Sequence, residues 1–235
     1  MEWHCIRWIA SGDGSEETPF MIETPEQLAY LMQHSISSWN GSTSSTAGKF
    51  YKVAPNKIFD MGGMSGINLK STLDEVKAAK VTSKTWNSYK GTNFSGNFDG
   101  NGLIVYNLYG VTDAMGLFPS IEGGAVIKNV TVKNSKMIST DNGYGAGAIF
   151  GRHNNTVPAA VTIDNCAVVN CDLQNTKNGQ VGLIGGAQNW RTINISNCFT
   201  VNNPTPAATA ATLYGGYIPQ AAGEGVVLTL PTVFL

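Results

Sequence analysis

The sequence predicts an all-β fold: a right-handed parallel β-helix (solenoid) with an N-terminal capping helix and a short helical insertion. Three observations predict it. The 235 residues include 22 Asn and 27 Gly but only 13% charged residues, a turn-rich composition unsuited to long helices. Apolar residues fall in short runs rich in Val, Ile, Thr and Phe, separated by Gly and Asn-Gly, with no helical period. And one unit recurs. Gly116-Leu117-Phe118 leads to Val126-Ile127-Lys128-Asn129-Val130-Thr131-Val132. Gly147-Ala148-Ile149-Phe150-Gly151 leads to Val161-Thr162-Ile163-Asp164-Asn165-Cys166, and Gly182-Leu183-Ile184-Gly185-Gly186 leads to Ile193-Asn194-Ile195-Ser196-Asn197-Cys198. Aligning Asn129, Asn165 and Asn197 gives steps of 36 and 32 residues, the range of stacked supersecondary units. The Leu ladder of leucine-rich repeats and the Trp-Asp dipeptide of propeller blades are both absent.

The elements follow in chain order. Residues 1–45 read as an N-terminal cap with a helix over about 24–35. Thr24 is its N-cap, Pro25 sits at the first helical position, and Gln27 closes a capping box before Leu28, Tyr30, Leu31 and Met32. A solenoid must cover its first coil, and an amphipathic helix suits that end. Residues 46–110 carry the first coils. Lys49–Val53 and Lys57–Asp60 read as strands. An insertion at 61–92 includes a short helix from Ser71 to near Lys80, and Ile104-Tyr106-Leu108 forms the next strand. Residues 111–235 are the repeat coils, with a degraded copy near Leu213-Tyr214-Gly215-Gly216.

Like residues of stacked coils lie about 4.8 Å apart, so Ile127, Ile163 and Ile195 are expected to stack inward and Asn129, Asn165 and Asn197 to form a side-chain ladder. Cys166 and Cys198 follow that Asn where the first unit has Val130, and read as buried thiols acting as small hydrophobes. A disulfide between neighbouring coils is the alternative.

A net charge of −1 disfavours nucleic-acid and anionic-membrane partners. No run of 18 apolar residues provides a membrane span, and the opening residues lack the apolar core of a secretory signal. Cysteine and histidine spacings suggest no metal site, and nothing implies a cofactor. A carboxylate pair for glycan cleavage is not expected, because Asp141, Asp164, Asp172 and Glu224 are the only acids in the last 95 residues and sit apart in the repeat. Asp164 is expected to alternate with Lys128 and Asn194. Asp99 reads as a turn aspartate rather than a calcium ligand. Binding candidates are the rings placed in loops or insertions, Trp39, Trp86, Tyr89, Tyr144 and Trp190, together with His153, expected exposed in a turn beside Arg152.

Gly14-Ser15-Glu16-Glu17-Thr18-Pro19-Phe20-Met21-Ile22, then Thr24-Pro25-Glu26-Gln27-Leu28-Ala29-Tyr30-Leu31, then Phe94-Ser95-Gly96-Asn97-Phe98-Asp99-Gly100-Asn101-Gly102 resemble, in that order, the opening of bacterial β-helix proteins with GLUG-type repeats. Gly116-Leu117-Phe118 and Ile127-Lys128-Asn129-Val130 extend the resemblance, which covers roughly residues 12–200. It implies surface adhesins and fimbria-like proteins of Bacteroidetes-type bacteria, or fibre and spike proteins of their phages, and no chemistry. The resulting expectation is a non-enzymatic structural or attachment protein, foremost a phage virion appendage. Its partners would be a host surface glycan or protein, or neighbouring virion proteins. A homo-oligomer is expected, a trimer in the phage case. A bacterial cell-surface adhesin is the alternative, and a carbohydrate-active β-helix lyase or hydrolase is the rival of a different class. The apolar residues 226–235 are expected to cover the open end, against a neighbouring subunit or as their own cap.

Overall fold

The computed structural model describes residues 9–34, 45–61, 93–141, 143–154, 157–177, 179–188, 192–204 and 226–229. The chain runs in successive passes. The first elements are β1 (Phe20–Ile22), α1 (Pro25–His34), β2 (Phe50–Val53) and β3 (Ile58–Asp60). The next pass gives β4 (Asn97–Tyr106), β5 (Tyr109–Thr112) and β6 (Phe118–Glu122). Then come β7 (Val126–Lys133), β8 (Lys136–Ser139), β9 (Gly145–Ala146) and β10 (Phe150–Asn154), followed by β11 (Val161–Val169), β12 (Asp172–Asn175), β13 (Gln180–Val181) and β14 (Gly185–Gln188). β15 (Ile193–Ser196), β16 (Phe199–Val201) and β17 (Val226–Thr229) complete the described strands.

Strands of successive passes lie side by side. One sheet runs β1-β2-β4-β7-β11-β15-β17, with β3 beside β4 and β16 beside β11. Smaller sheets run β6-β10-β14, β5-β8-β12 and β9-β13. The pairings are parallel throughout, and among the described residues no sheet closes into a barrel. Among the described residues the fold is mostly β, built from parallel sheets with one short helix.

The pass length sets the register. Phe98, Ile127, Ile163 and Ile195 stand opposite one another across β4, β7, β11 and β15, and all are buried. Val105, Val132 and Val168 form a second inward row. Burial of each such side chain contributes roughly 1.5–3 kcal/mol, and both rows belong to one continuous apolar cluster. Asp164 lies opposite Lys128 as the repeat suggests, but its partner on the following pass is Ser196, while Asn194 faces Thr162. The expected alternation with Asn194 is corrected by the 32-residue step between Asn165 and Asn197, which carries Asp164 to Ser196.

α1 starts as its residues dictate. Thr24 Oγ1 accepts the Gln27 N–H at 3.3 Å, and Gln27 Oε1 accepts the N–H groups of Thr24 (3.3 Å) and Glu23 (2.7 Å). Leu28, Ala29, Leu31 and Met32 are buried in the same apolar cluster as Ile22 and Val53. The expected helix from Ser71 to Lys80 lies outside the described residues.

Asparagine makes the corners. Among the described residues every non-glycine position with positive φ is Asn: 56, 101, 107, 129, 134, 165, 170, 197 and 202, with φ between 49° and 61°. Left-handed backbone costs an L-residue roughly 1–2 kcal/mol, least for Asn, whose short amide can bond locally. Here the amides bond along the stack. Asn165 Nδ2 donates to Asn129 Oδ1 at 2.8 Å, and Asn170 Nδ2 to Asn134 Oδ1 at 2.8 Å. Two short ladders result, one on each side of a short strand segment, and Asn197, the expected third member of the first, leaves it: its Nδ2 donates to Asp164 Oδ1 at 2.8 Å.

After three of these corners, at Asn107, Asn165 and Asn170, a side chain of the next pass accepts the N–H that follows the Asn. Cys166 N–H donates to Cys198 Sγ (3.4 Å), Leu108 N–H to Ser135 Oγ (3.2 Å) and Cys171 N–H to Asn203 Oδ1 (2.8 Å). Cys166, Cys171 and Cys198 are free and buried. They therefore serve as weak hydrogen-bonding groups as well as small hydrophobes. The bond with Cys198 and burial push the Cys166 thiol up, and burial pushes Cys171 up to about 11.

Candidate functional site

Between the two ladders lies a strand segment whose alternate residues point outward. In register, Ile58, Ile104, Thr131, Ala167 and Phe199 form one outward row, and Asp60, Tyr106, Lys133, Val169 and Val201 form the next. Outward positions of a sheet are usually polar. Here Ile58 is 64%, Phe199 52% and Val201 41% exposed. Large apolar side chains thus stand in water at both ends of one row.

A groove of about 420 Å³ runs along the ladder edge of this face. Asn56, Asn101, Asn129 and Asn165 line it together with Gly102, Val130, Thr131, Ala167 and Phe199. None of its lining residues is charged. A primary amide has two N–H donors and an oxygen with two lone pairs. The ladder engages one N–H of Asn165 and one of Asn129, the latter donating to Asp99 Oδ1 at 2.7 Å. Among the described residues, the second N–H of each and the Asn56 amide have no protein partner. The groove therefore offers hydrogen-bonding capacity beside an exposed ring, and no charge.

A second cleft, of about 380 Å³, has the opposite character. Glu16, Glu17, Lys52, Asp99 and Lys128 line it, with Pro19, Phe50 and Val126 between them. Its one sheet-borne carboxylate is already engaged: Asp99 Oδ1 accepts the Asn101 N–H (2.9 Å) and the Asn129 amide, and Asp99 Oδ2 lies 3.6 Å from Lys128 Nζ. This is the satisfied turn aspartate that its Phe-Asp-Gly-Asn-Gly setting suggests. The adjoining loop is locked by Asp13, whose Oδ1 accepts the Thr18 hydroxyl at 2.6 Å and the Ser15 N–H at 2.9 Å, holding its carboxyl down at about 2. On another sheet, Lys136 Nζ meets Asp172 Oδ2 at 2.6 Å, both largely buried.

Of the rings singled out from sequence, Trp39, Trp86, Tyr89 and Trp190 lie outside the described residues. Tyr144 is half-buried, and the Arg152 guanidinium covers its ring at 4.5 Å from the centroid. His153 is not exposed in a turn. It belongs to β10, stands opposite buried Ile121, and is fully buried, because the strand continues through Asn154. Neither residue joins the groove. None of the residues that line it is a binding candidate on sequence grounds, although Asn101, Gly102, Asn129, Val130, Thr131 and Asn165 belong to recognised repeat segments. The signal was present: Asn recurs with four residues between members at 129 and 134, 165 and 170, and 197 and 202, marking two corners and the segment between them.

No family model matches the chain. Halomucin of Haloquadratum walsbyi (strain DSM 16790 / HBSQ001) is similar, at 24% identity over 183 residues, or 75% of this chain. The chain spans 2% of halomucin's length. A crystal structure of a candidate immunoglobulin A1 protease from Bacteroides ovatus aligns with 95% of this chain and 67% of its own, at 15% identity. Its TM-score of 0.44 is too low to carry an argument about fold or activity.

Proposed function

We propose that the chain is a right-handed parallel β-helix acting as a non-enzymatic structural and attachment module at an outer cell surface. The observation that carries this reading is the exposed outward face between the two asparagine ladders, with its uncharged groove. Parallel pairing of successive passes supports the helical path, and right-handed crossover is the rule for such connections. Asp99, bonded to two donors and a lysine, suits a structural carboxylate better than an acid or base. The extracellular setting draws on the likeness to halomucin, a mucin by name.

A virion appendage, assembled as a homo-oligomer and most simply a trimer, is the second reading. Three buried free thiols favour it, since they suit assembly in a reducing compartment. The test pairs binding with turnover. The purified chain is expected to bind intact bacterial cells or their extracted envelope polysaccharide without releasing reducing ends or unsaturated sugars. Turnover abolished by Asp141→Asn, Asp164→Asn or Asp172→Asn replaces the attachment reading with a carbohydrate-active enzyme.

A further inference from the structure

We infer that the groove along the first asparagine ladder binds an uncharged polysaccharide laid parallel to the stack of passes, with Phe199 as its stacking platform. The inference rests on the attachment reading and names the ligand class and the residues that hold it. Three features select this ligand. The groove has no charged lining residue, whereas the neighbouring cleft has five, so an anionic or cationic polymer gains nothing here and loses hydration. Its polar groups are amides with N–H capacity to spare, which match hydroxyls as both donors and acceptors.

The third feature is repetition. Asn129 and Asn165 present bonded amides on successive passes, spaced by the strand separation of about 4.8 Å, and Asn56 and Asn101 line the same groove from the two passes before, with the Asn101 amide donating one N–H to Val53 O at 3.2 Å. A ligand that meets the same group at each step is itself a polymer of similar units. A pyranose has an apolar C–H face for the half-exposed Phe199 ring and equatorial hydroxyls for the amides, the combination of one flat apolar contact and a few placed polar groups that ligand sites use. A second copy of the chain would cover Ile58 and Phe199 equally well, but would leave the amides without partners matched to their step.

Affinity gel electrophoresis of the full chain tests this, with dextran, mannan, galactomannan or xylan in the gel, and alginate or pectate as anionic counterparts. At least one neutral polymer is expected to retard the chain, and the anionic ones not to. Phe199→Ala is expected to weaken the retarding interaction about tenfold or more, the loss of one stacked ring and its buried area. Asn165→Gly, which keeps the left-handed corner and removes the amide, is expected to weaken it several-fold. Glu17→Ala in the charged cleft is expected to change nothing. Far-UV circular dichroism and the thermal midpoint verify that each variant is folded.

Retardation by no neutral polymer overturns the inference. So does equal retardation of Phe199→Ala, or binding lost only in Glu17→Ala. Sedimentation velocity showing a parent dimer that Phe199→Ala dissociates assigns the face to a second copy and overturns it as well. If the parent binds cells or envelope polysaccharide while Phe199→Ala binds them equally, attachment stands and only the groove assignment fails.

Discussion

At the scale of single residues, asparagine does what glycine does elsewhere, and adds a bond. Asn165 holds φ at 49° and donates to Asn129 across the ladder. Asn165→Ala loses both the tolerance of that backbone and the amide bond, and is expected to destabilise the protein by about 2 kcal/mol in urea unfolding. Asn165→Gly restores the backbone freedom alone, so its loss is expected to be about 1 kcal/mol. An order in which glycine is the worse of the two contradicts the left-handed corner. Asp13 supplies a pH test. Its carboxyl is held down at about 2 by the bonds from Thr18 and Ser15, so the loop's stabilisation is complete above the usual carboxylate range and is lost as pH falls through about 2. An NMR titration of the Asp13 carboxyl should show a midpoint near that value, moving up towards the usual aspartate range in Thr18→Val.

At the scale of elements, neighbouring strands share work that neither could do alone. Phe118 and Phe150 stand in register across β6 and β10, and the position that follows on β14 is Gly185, where a Cβ would run into the Phe150 ring. Gly185→Ala forces that buried ring aside and is expected to cost about 2 kcal/mol or more, with Phe150→Leu partly relieving the clash in the double variant. β8 and β12 are joined by Lys136 and Asp172, at 5% and 15% side-chain exposure. Lys136→Met leaves the carboxylate with its cation gone in a largely buried setting, an expected loss of about 3 kcal/mol at pH 7, and Lys136→Met with Asp172→Leu should recover most of it. Cys171, with its thiol pushed up to about 11, stays protonated through the neutral range. Its raised value contributes stability that is present below about 9 and lost as pH rises through about 11. Native thiol titration at pH 8 should find Cys166, Cys171 and Cys198 slow to react, and fast once the chain is unfolded.

At the scale of the whole molecule, each pass is stable because another lies against it. β17 pairs with β15 in parallel, with Ile193 opposite Val226 and Ile195 opposite Leu228, extending the main sheet by one strand. Ending the chain after Gly225 removes that strand and leaves the β15 edge with open donors and acceptors. The shortened chain is expected to self-associate in sedimentation velocity under conditions where the intact chain has one sharp boundary. An unchanged boundary shows that β17 does not protect the edge. Because passes touch mainly their neighbours, substitutions two or more passes apart, such as Asn165→Ala and a change at Phe20, should add in their effects on stability.

The parallel stacking, the inward Ile row and the start of α1 were legible in the sequence, because each is set either by residues adjacent in the chain or by a spacing that repeats. Thr24 and Gln27 lie three residues apart, and the steps between Asn129, Asn165 and Asn197 set which strands lie side by side. The groove was not legible. The two Asn corners convert a run of alternating apolar residues into a segment whose outward members are Ile58, Ile104 and Phe199, and alternation alone does not say which face of a strand meets water. His153 shows the same limit: its flanking polar residues suggested a turn, but pairing with Ile121 a whole pass earlier carried it inside. Lateral neighbours about thirty residues away along the chain make these decisions, and only the stacked structure brings them together.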